Sequence, residues 1–292
     1  MTSTVVGGDV GADRLVMLRE ATSLILRSPH HLQFGTLPGR SLVLEMPAGV
    51  SANQVMLVVR ESMRPVGSGE LAERLGHCGF THEHATGVVA DLMTAGLLRT
   101  VPASDSPVYV TGPSATTGTV LQDLLRRGVT AATVTPGAPA FGRLTPSSLV
   151  VLAGQLFPPQ DVTHRLMRQG VPHLPCGVVD GQVIVGPLVR PGDTACLTCL
   201  DTMLLGEDPD WRLIRAQSPG GSGPTGSGMT GVASAVIAGI VRDALGSGRP
   251  LSEWTPDGLD VRRFLDPVRL TCTDTPVVRL PGCPACRASP AR

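Results

Sequence analysis

The period of the apolar positions changes twice along the chain, and those changes divide it. Between residues 23 and 46 three short runs, Ser23-Leu24-Ile25-Leu26, His31-Leu32-Gln33-Phe34 and Ser41-Leu42-Val43-Leu44-Glu45-Met46, are separated by Ser-Pro and Leu-Pro-Gly-Arg turns and predict three antiparallel strands. Helical spacing follows over roughly 51–63, 69–76 and 81–96, the last with Ala85, Val88, Val89, Leu92 and Met93 in register and a stop at Gly96. Leu97-Leu98-Arg99-Thr100 then reads as a wing strand, so residues 1–102 are expected to form a small α+β winged-helix domain.

Pro102-Ala103-Ser104-Asp105-Ser106-Pro107 has the composition of a linker. Residues 107–292 return to strands and helices in alternation: a strand at 108–111, a glycine turn, a helix at 118–127, and strands at 130–134, 148–152, 172–179 and 182–185, with a helix at 159–169 before the third of these. This is the order of an α/β, Rossmann-type domain. A helix is expected at 230–245 and late strands at 259–264 and 268–271. Residues 218–229 are rich in Gly and Ser, cannot bury apolar area, and are expected to be a mobile loop.

Charge narrows what the first domain can do. The chain has 24 basic and 24 acidic residues and no lysine, which argues against a general affinity for nucleic acid or an anionic membrane. A winged helix suggests DNA, yet the candidate recognition helix has no Arg or Lys and carries Glu83 and Asp91. The same architecture can capture a peptide by strand addition: Leu42, Val43, Leu44 and Glu45 would offer the pairing edge, and Ala85, Val88, Val89 and Leu92 would belong to the adjoining groove. The alternative is a domain that only packs against its neighbour. The longest apolar stretch, 232–244, is interrupted by Ser234, Gly239, Arg242 and Asp243, so no membrane span is expected. The polar stretch after Met1 lacks the pattern of a signal peptide, which leads to the expectation of a cytoplasmic protein.

The chemistry-bearing motif is a pair of Cys-x-x-Cys clips, Cys196/Cys199 and Cys283/Cys286, each preceded by Pro-Gly. Two such clips have the bite of a tetrahedral thiolate site, and one structural zinc held by all four sulfurs is the expected use. Iron suits the same donor set. Two disulfides or a redox pair are the alternatives, and a reducing compartment disfavours them. Cys78, Cys176 and Cys272 read as small core residues.

Taken together, the run Val185-Gly186-Pro187-Leu188-Val189-Arg190-Pro191-Gly192-Asp193-Thr194-Ala195-Cys196-Leu197-Thr198-Cys199-Leu200-Asp201, then Asp208-Pro209-Asp210-Trp211 and Cys283-Pro284-Ala285-Cys286, resembles the ThiF-like, cyclodehydratase-associated proteins of thiazole/oxazole-modified peptide (TOMM) biosynthesis. That resemblance implies a PqqD-like element that binds the leader of a ribosomally made precursor peptide. It also implies a ThiF/MoeB-like domain working with a YcaO-type cyclodehydratase, and a possible homodimer.

True adenylating enzymes of this fold need cations on the phosphates and a carboxylate for Mg²⁺ or ribose. Here the turn is Gly112-Pro113-Ser114-Ala115-Thr116-Thr117-Gly118, with Gly112 and Gly118 where three glycines are usual. No Asp or Glu occurs between Leu124 and Gln160, and Arg126 and Arg127 belong to the far end of the helix. The expectation is therefore a non-catalytic recognition scaffold that binds no ATP. An ATP-dependent adenylating enzyme acting on a peptide or carrier-protein C-terminus is the alternative.

Overall fold

The computed structural model describes residues 14–101, 106–218, 220, 226–246 and 261–290, in two compact units, Met1–Ala103 and Ser104–Arg292. In the first unit, β1 (Leu15–Leu18) precedes the three expected strands β2 (Leu24–Ser28), β3 (His31–Phe34) and β4 (Leu42–Glu45), which form an antiparallel sheet in the order β2-β3-β4. Helix α1 (Ala52–Glu61), strand β5 (Val66–Gly67), helices α2 (Ser68–His77) and α3 (His82–Thr94) and strand β6 (Leu98–Thr100) complete it. The Thr81 hydroxyl caps α3 by accepting the His84 N–H at 3.3 Å. Strand β1 was not legible in the sequence. It pairs with both β5 and β6, so the expected wing strand joins a second sheet, β5-β1-β6, rather than the sheet that contains β4. One core built from Val16, Leu32, Phe34, Val55, Val59, Leu75, Val89, Leu92 and Leu98 ties both sheets to the three helices.

The second unit contains β7 (Val108–Thr111), α4 (Ser114–Arg126), β8 (Ala131–Thr133), a 3-10 turn at Pro139–Arg143, β9 (Leu149–Ala153), α5 (Gln160–Gln169), β10 (His173–Val179) and β11 (Gln182–Val185). After these come α6 (Leu197–Glu207), α7 (Trp211–Gln217), α8 (Ser227–Gly246), β12 (Val261–Asp266), β13 (Thr271–Pro276) and α9 (Pro284–Arg287). Among the described residues they build a seven-stranded mixed sheet in the order β13-β12-β11-β10-β9-β7-β8, parallel from β8 to β10 and antiparallel from β11 outward. β9 is buried along its whole length, as a central parallel strand must be. Its odd positions Leu149, Val151 and Ala153 face α4 and α8, while Val150 and Leu152 face α5, α6 and the cysteine clips.

Three expectations change here. The helix expected from Gly118 begins at Ser114, so Gly118 lies inside α4 and only Gly112 belongs to the turn. The late strand expected at 268–271 is instead the tip of a β12–β13 hairpin, where Val268 and Leu270 are exposed, and β13 runs on to Pro276. The mobile loop expected at 218–229 is helical from Ser227; residues 219 and 221–225 lie outside the described residues. One stretch of α8, Gly228–Leu245, is long and apolar enough to cross a membrane by length and composition, contrary to the sequence expectation. In this fold its inner face, Ala233, Ile237, Ala238 and Val241, is core, and Ser234 Oγ donates to Asp123 Oδ2 (2.5 Å) on α4.

Candidate functional site: a four-cysteine centre, a strand-end crevice and an open edge

The two clips meet although 87 positions separate Cys196 from Cys283 in sequence. Cys196 is the N-cap of α6 and Cys199 lies in its first turn; Cys283 caps α9 and Cys286 lies on it. All four sulfurs are buried and lie within 4.8 Å of one another. Cys196 Sγ is 3.6 Å from Cys283 Sγ, Cys199 Sγ is 3.6 Å from Cys286 Sγ, and Cys196 Sγ is 3.8 Å from Cys199 Sγ. Sulfurs at about 2.3 Å from a central ion at tetrahedral angles stand about 3.8 Å apart, so the set can hold a metal ion.

Backbone amides favour thiolate over thiol. Leu280 N–H donates to Cys199 Sγ (3.4 Å), the Cys199 amide bonds to Cys196 and the amides of Cys286 and Ala285 to Cys283. These donors belong to the clips and to Leu280, not to the Pro-Gly pairs that precede them. Burial pushes the Cys196 and Cys286 thiols up. Burial acts the same way on Cys283, but its amide bonds together with hydrogen bonds from the Cys196 and Cys199 thiols outweigh it and hold that thiol below the ordinary value. A cation among the sulfurs reverses this burial penalty. Of the other cysteines, Cys176 is a core residue whose thiol burial raises to about 12, Cys78 is half-buried, and Cys272 is exposed on β13, against expectation.

The crevice at the carboxyl ends of the parallel strands lies between β7 and β9, where chain order reverses. Gly112 turns the chain there at φ +144°, and a Cβ at this position would lie 1.9 Å from Ala153 O. Gly118 has open space around it. Thr117 Oγ1 and Gln155 Oε1 are buried without a hydrogen-bond partner. Gln155, two residues beyond the end of β9, presents a neutral amide rather than a carboxylate. Arg126 is bound to Asp123 at the far end of α4, away from the crevice.

On β4 the side chains alternate, Leu42 and Leu44 half-buried toward the core, Val43 and Glu45 exposed. β4 pairs only with β3 among the described residues, so its other side is open. Ala85, Val88, Val89 and Leu92 lie in the same core at 0–8% exposure and form the buried face of α3, not an exposed wall. The structure therefore brings Leu42 and Leu44 against the core that contains those four residues. Val43 and Glu45 are not part of that contact.

No protein-family model matches this sequence, and no curated protein sequence matches it. Among solved structures, a heterocyclase in complex with substrate and cofactor aligns at TM-score 0.57 and 15% identity over 94% of this chain and 39% of its own. The heterocyclase TruD aligns at 0.53 and 16% over 94% and 43%. This chain thus spans about two fifths of the length of those two proteins. E. coli MccB with ATP aligns at 0.51 and 14% over 93% of this chain and 99% of its own. At these identities the likeness is one of fold: this chain has the mixed α/β architecture of the heterocyclase and MccB chains, with a sheet consistent with a ThiF/MoeB-like domain and a cysteine cluster that can hold a metal ion.

Proposed function

We propose that this chain is a recognition scaffold of TOMM biosynthesis. Its first unit works as a PqqD-like winged helix that takes up the leader of a precursor peptide, and the chain presents that peptide to a YcaO-type cyclodehydratase. The observation that carries the reading is the β4 edge. Its pairing with β3 runs without a register shift, whereas the opposite edge strand, β2, is blunted by a register shift between Leu26 and Ser28 and by exposed Arg27. A leader strand pairing with β4 would gain main-chain hydrogen bonds. Its alternate apolar side chains would cover the half-buried Leu42 and Leu44 beside the helices. Zinc at the four cysteines would be structural, pinning the chain's end to α6. The heterocyclase and TruD likeness supports the assignment to this chemistry by fold. Titration of the full chain with leader peptide, against a Leu44→Glu variant, tests it: the reading requires binding that the variant loses.

A second reading, an adenylating enzyme, has two observations in its favour. The crevice keeps the Gly112 turn, and Thr117 Oγ1 and Gln155 Oε1 stand there without partners. Against it stand the absence of any Asp or Glu between Leu124 and Gln160 and the lack of lysine in the chain. ATP–pyrophosphate exchange by the purified protein, with leader peptide present, is the measurement that would bring this reading forward.

A further inference from the structure

Helix α6 connects the cysteine centre to a second group of contacts. Asp201, two residues beyond Cys199, has both carboxylate oxygens engaged: Trp211 Nε1 donates to Oδ1 at 3.3 Å and Arg215 is ion-paired with Oδ2. A second Arg215 nitrogen donates to Pro158 O at 3.1 Å. The Trp211 ring meets Phe157 edge-on with centroids 4.8 Å apart, and the Phe157 amide donates to Gly220 O at 3.1 Å. On its other side Phe157 lies under the buried Arg262 guanidinium, 5.4 Å from the ring centre, and the same guanidinium lies 5.1 Å from the Phe264 ring. Phe157 and Pro158 belong to the segment that follows β9.

Helix α7 depends on these contacts. Its seven residues include none that is buried, and Leu213 and Ile214 are 60% and 41% exposed. A helix so short does not persist on its own in water. Trp211 and Arg215, one turn apart, are its half-buried residues, and both are held by Asp201. Asp201 in turn is positioned by the first turn of α6, which the cysteine clip begins.

We propose that metal at the four cysteines is coupled through Asp201, a positioning residue, to the docking of α7 and of the Phe157-Pro158 segment. This inference rests on the reading of the cysteines as a metal centre. Metal-loaded protein holds Asp201 where Trp211 and Arg215 reach it; loss of metal loosens the start of α6 and frees them. Coupling of this kind is reciprocal: a break at Asp201 weakens metal retention by the factor by which metal favours the docked helix.

The test uses the full chain with Trp254→Phe, which leaves Trp211 as the sole indole. Zinc is loaded, its stoichiometry measured, and a chelator then withdraws it while Trp211 emission, acrylamide quenching and far-UV circular dichroism are followed. We expect Trp211 to shift to the red and to become quenchable in step with zinc release. In the metal-loaded Asp201→Asn and Arg215→Met variants it is already quenchable, and at equilibrium with the chelator zinc is held at least about fivefold more weakly than by the parent, the low end of ordinary coupling. Arg263→Met, which removes an ion pair to Asp274 elsewhere, leaves both readouts unchanged. Unchanged Trp211 emission through full zinc release, or parental zinc affinity in both Asp201→Asn and Arg215→Met, overturns the coupling alone. A chain that takes up no zinc overturns the metal reading and the coupling together.

Discussion

Cys196 Sγ and Cys283 Sγ stand 3.6 Å apart across 87 positions of sequence. Such a contact closes a long loop, and its entropy is recovered only if something holds the sulfurs together. Four buried thiols with amide donors turned toward them are poised for a cation. We expect purified protein to carry one equivalent of zinc or iron. Cys196→Ser or Cys283→Ser should lose it and lower the melting temperature. Metal retention should also fall as pH falls, because protons compete for the thiolates. Elemental analysis across a pH series checks both statements.

Gly112 and Gly118 separate two roles that a glycine can have. A side chain at Gly112 would meet Ala153 O in a backbone conformation that L residues rarely adopt, so Gly112→Ala should cost about 2 kcal/mol or more. Gly118 lies within α4 with nothing near it, so Gly118→Ala should stabilise by about 0.5–1 kcal/mol. Thermal or urea melts of the two variants should therefore move in opposite directions.

His173 gives stability a pH dependence. It is fully buried; its Nδ1 bonds to Val171 O at 2.9 Å and its Nε2 has no partner. Burial pushes its pKa down to about 4. The unfolded chain, with an ordinary histidine near 6.5, binds the proton more readily, so stability is lost as pH falls from about 6.5 toward 4. The expected loss at pH 5 relative to neutral pH is about 2 kcal/mol from this residue. His173→Phe should remove that component of the slope in denaturant titrations.

The sequence made the centre of each unit legible. The five residues of β9 have no polar member, and the alternation in His31–Phe34 and Leu42–Glu45 fixes which side faces the helices. Both cysteine clips were legible by spacing. What escaped was nonlocal. Leu15–Leu18 is only four residues long and is a strand because β5 and β6 pair with it. The Asp201 latch joins α6, α7 and the segment after β9, and only tertiary contact could reveal it. The burial of Ala85, Val88, Val89 and Leu92 has a similar cause: helical spacing marks an apolar face but does not say whether a core or a ligand covers it.

We propose that β4 receives a peptide strand. Calorimetric titration of the full chain with leader peptides encoded beside its gene, and separately with ATP-Mg²⁺, is the decisive measurement. We predict micromolar leader binding without ATP, weakened at least about tenfold by Leu44→Glu, since a charge would be forced into the half-buried row. Val43→Glu, on the exposed side, should bind within about twofold of the parent. No leader binding, or leader binding indifferent to Leu44→Glu, would contradict the claim.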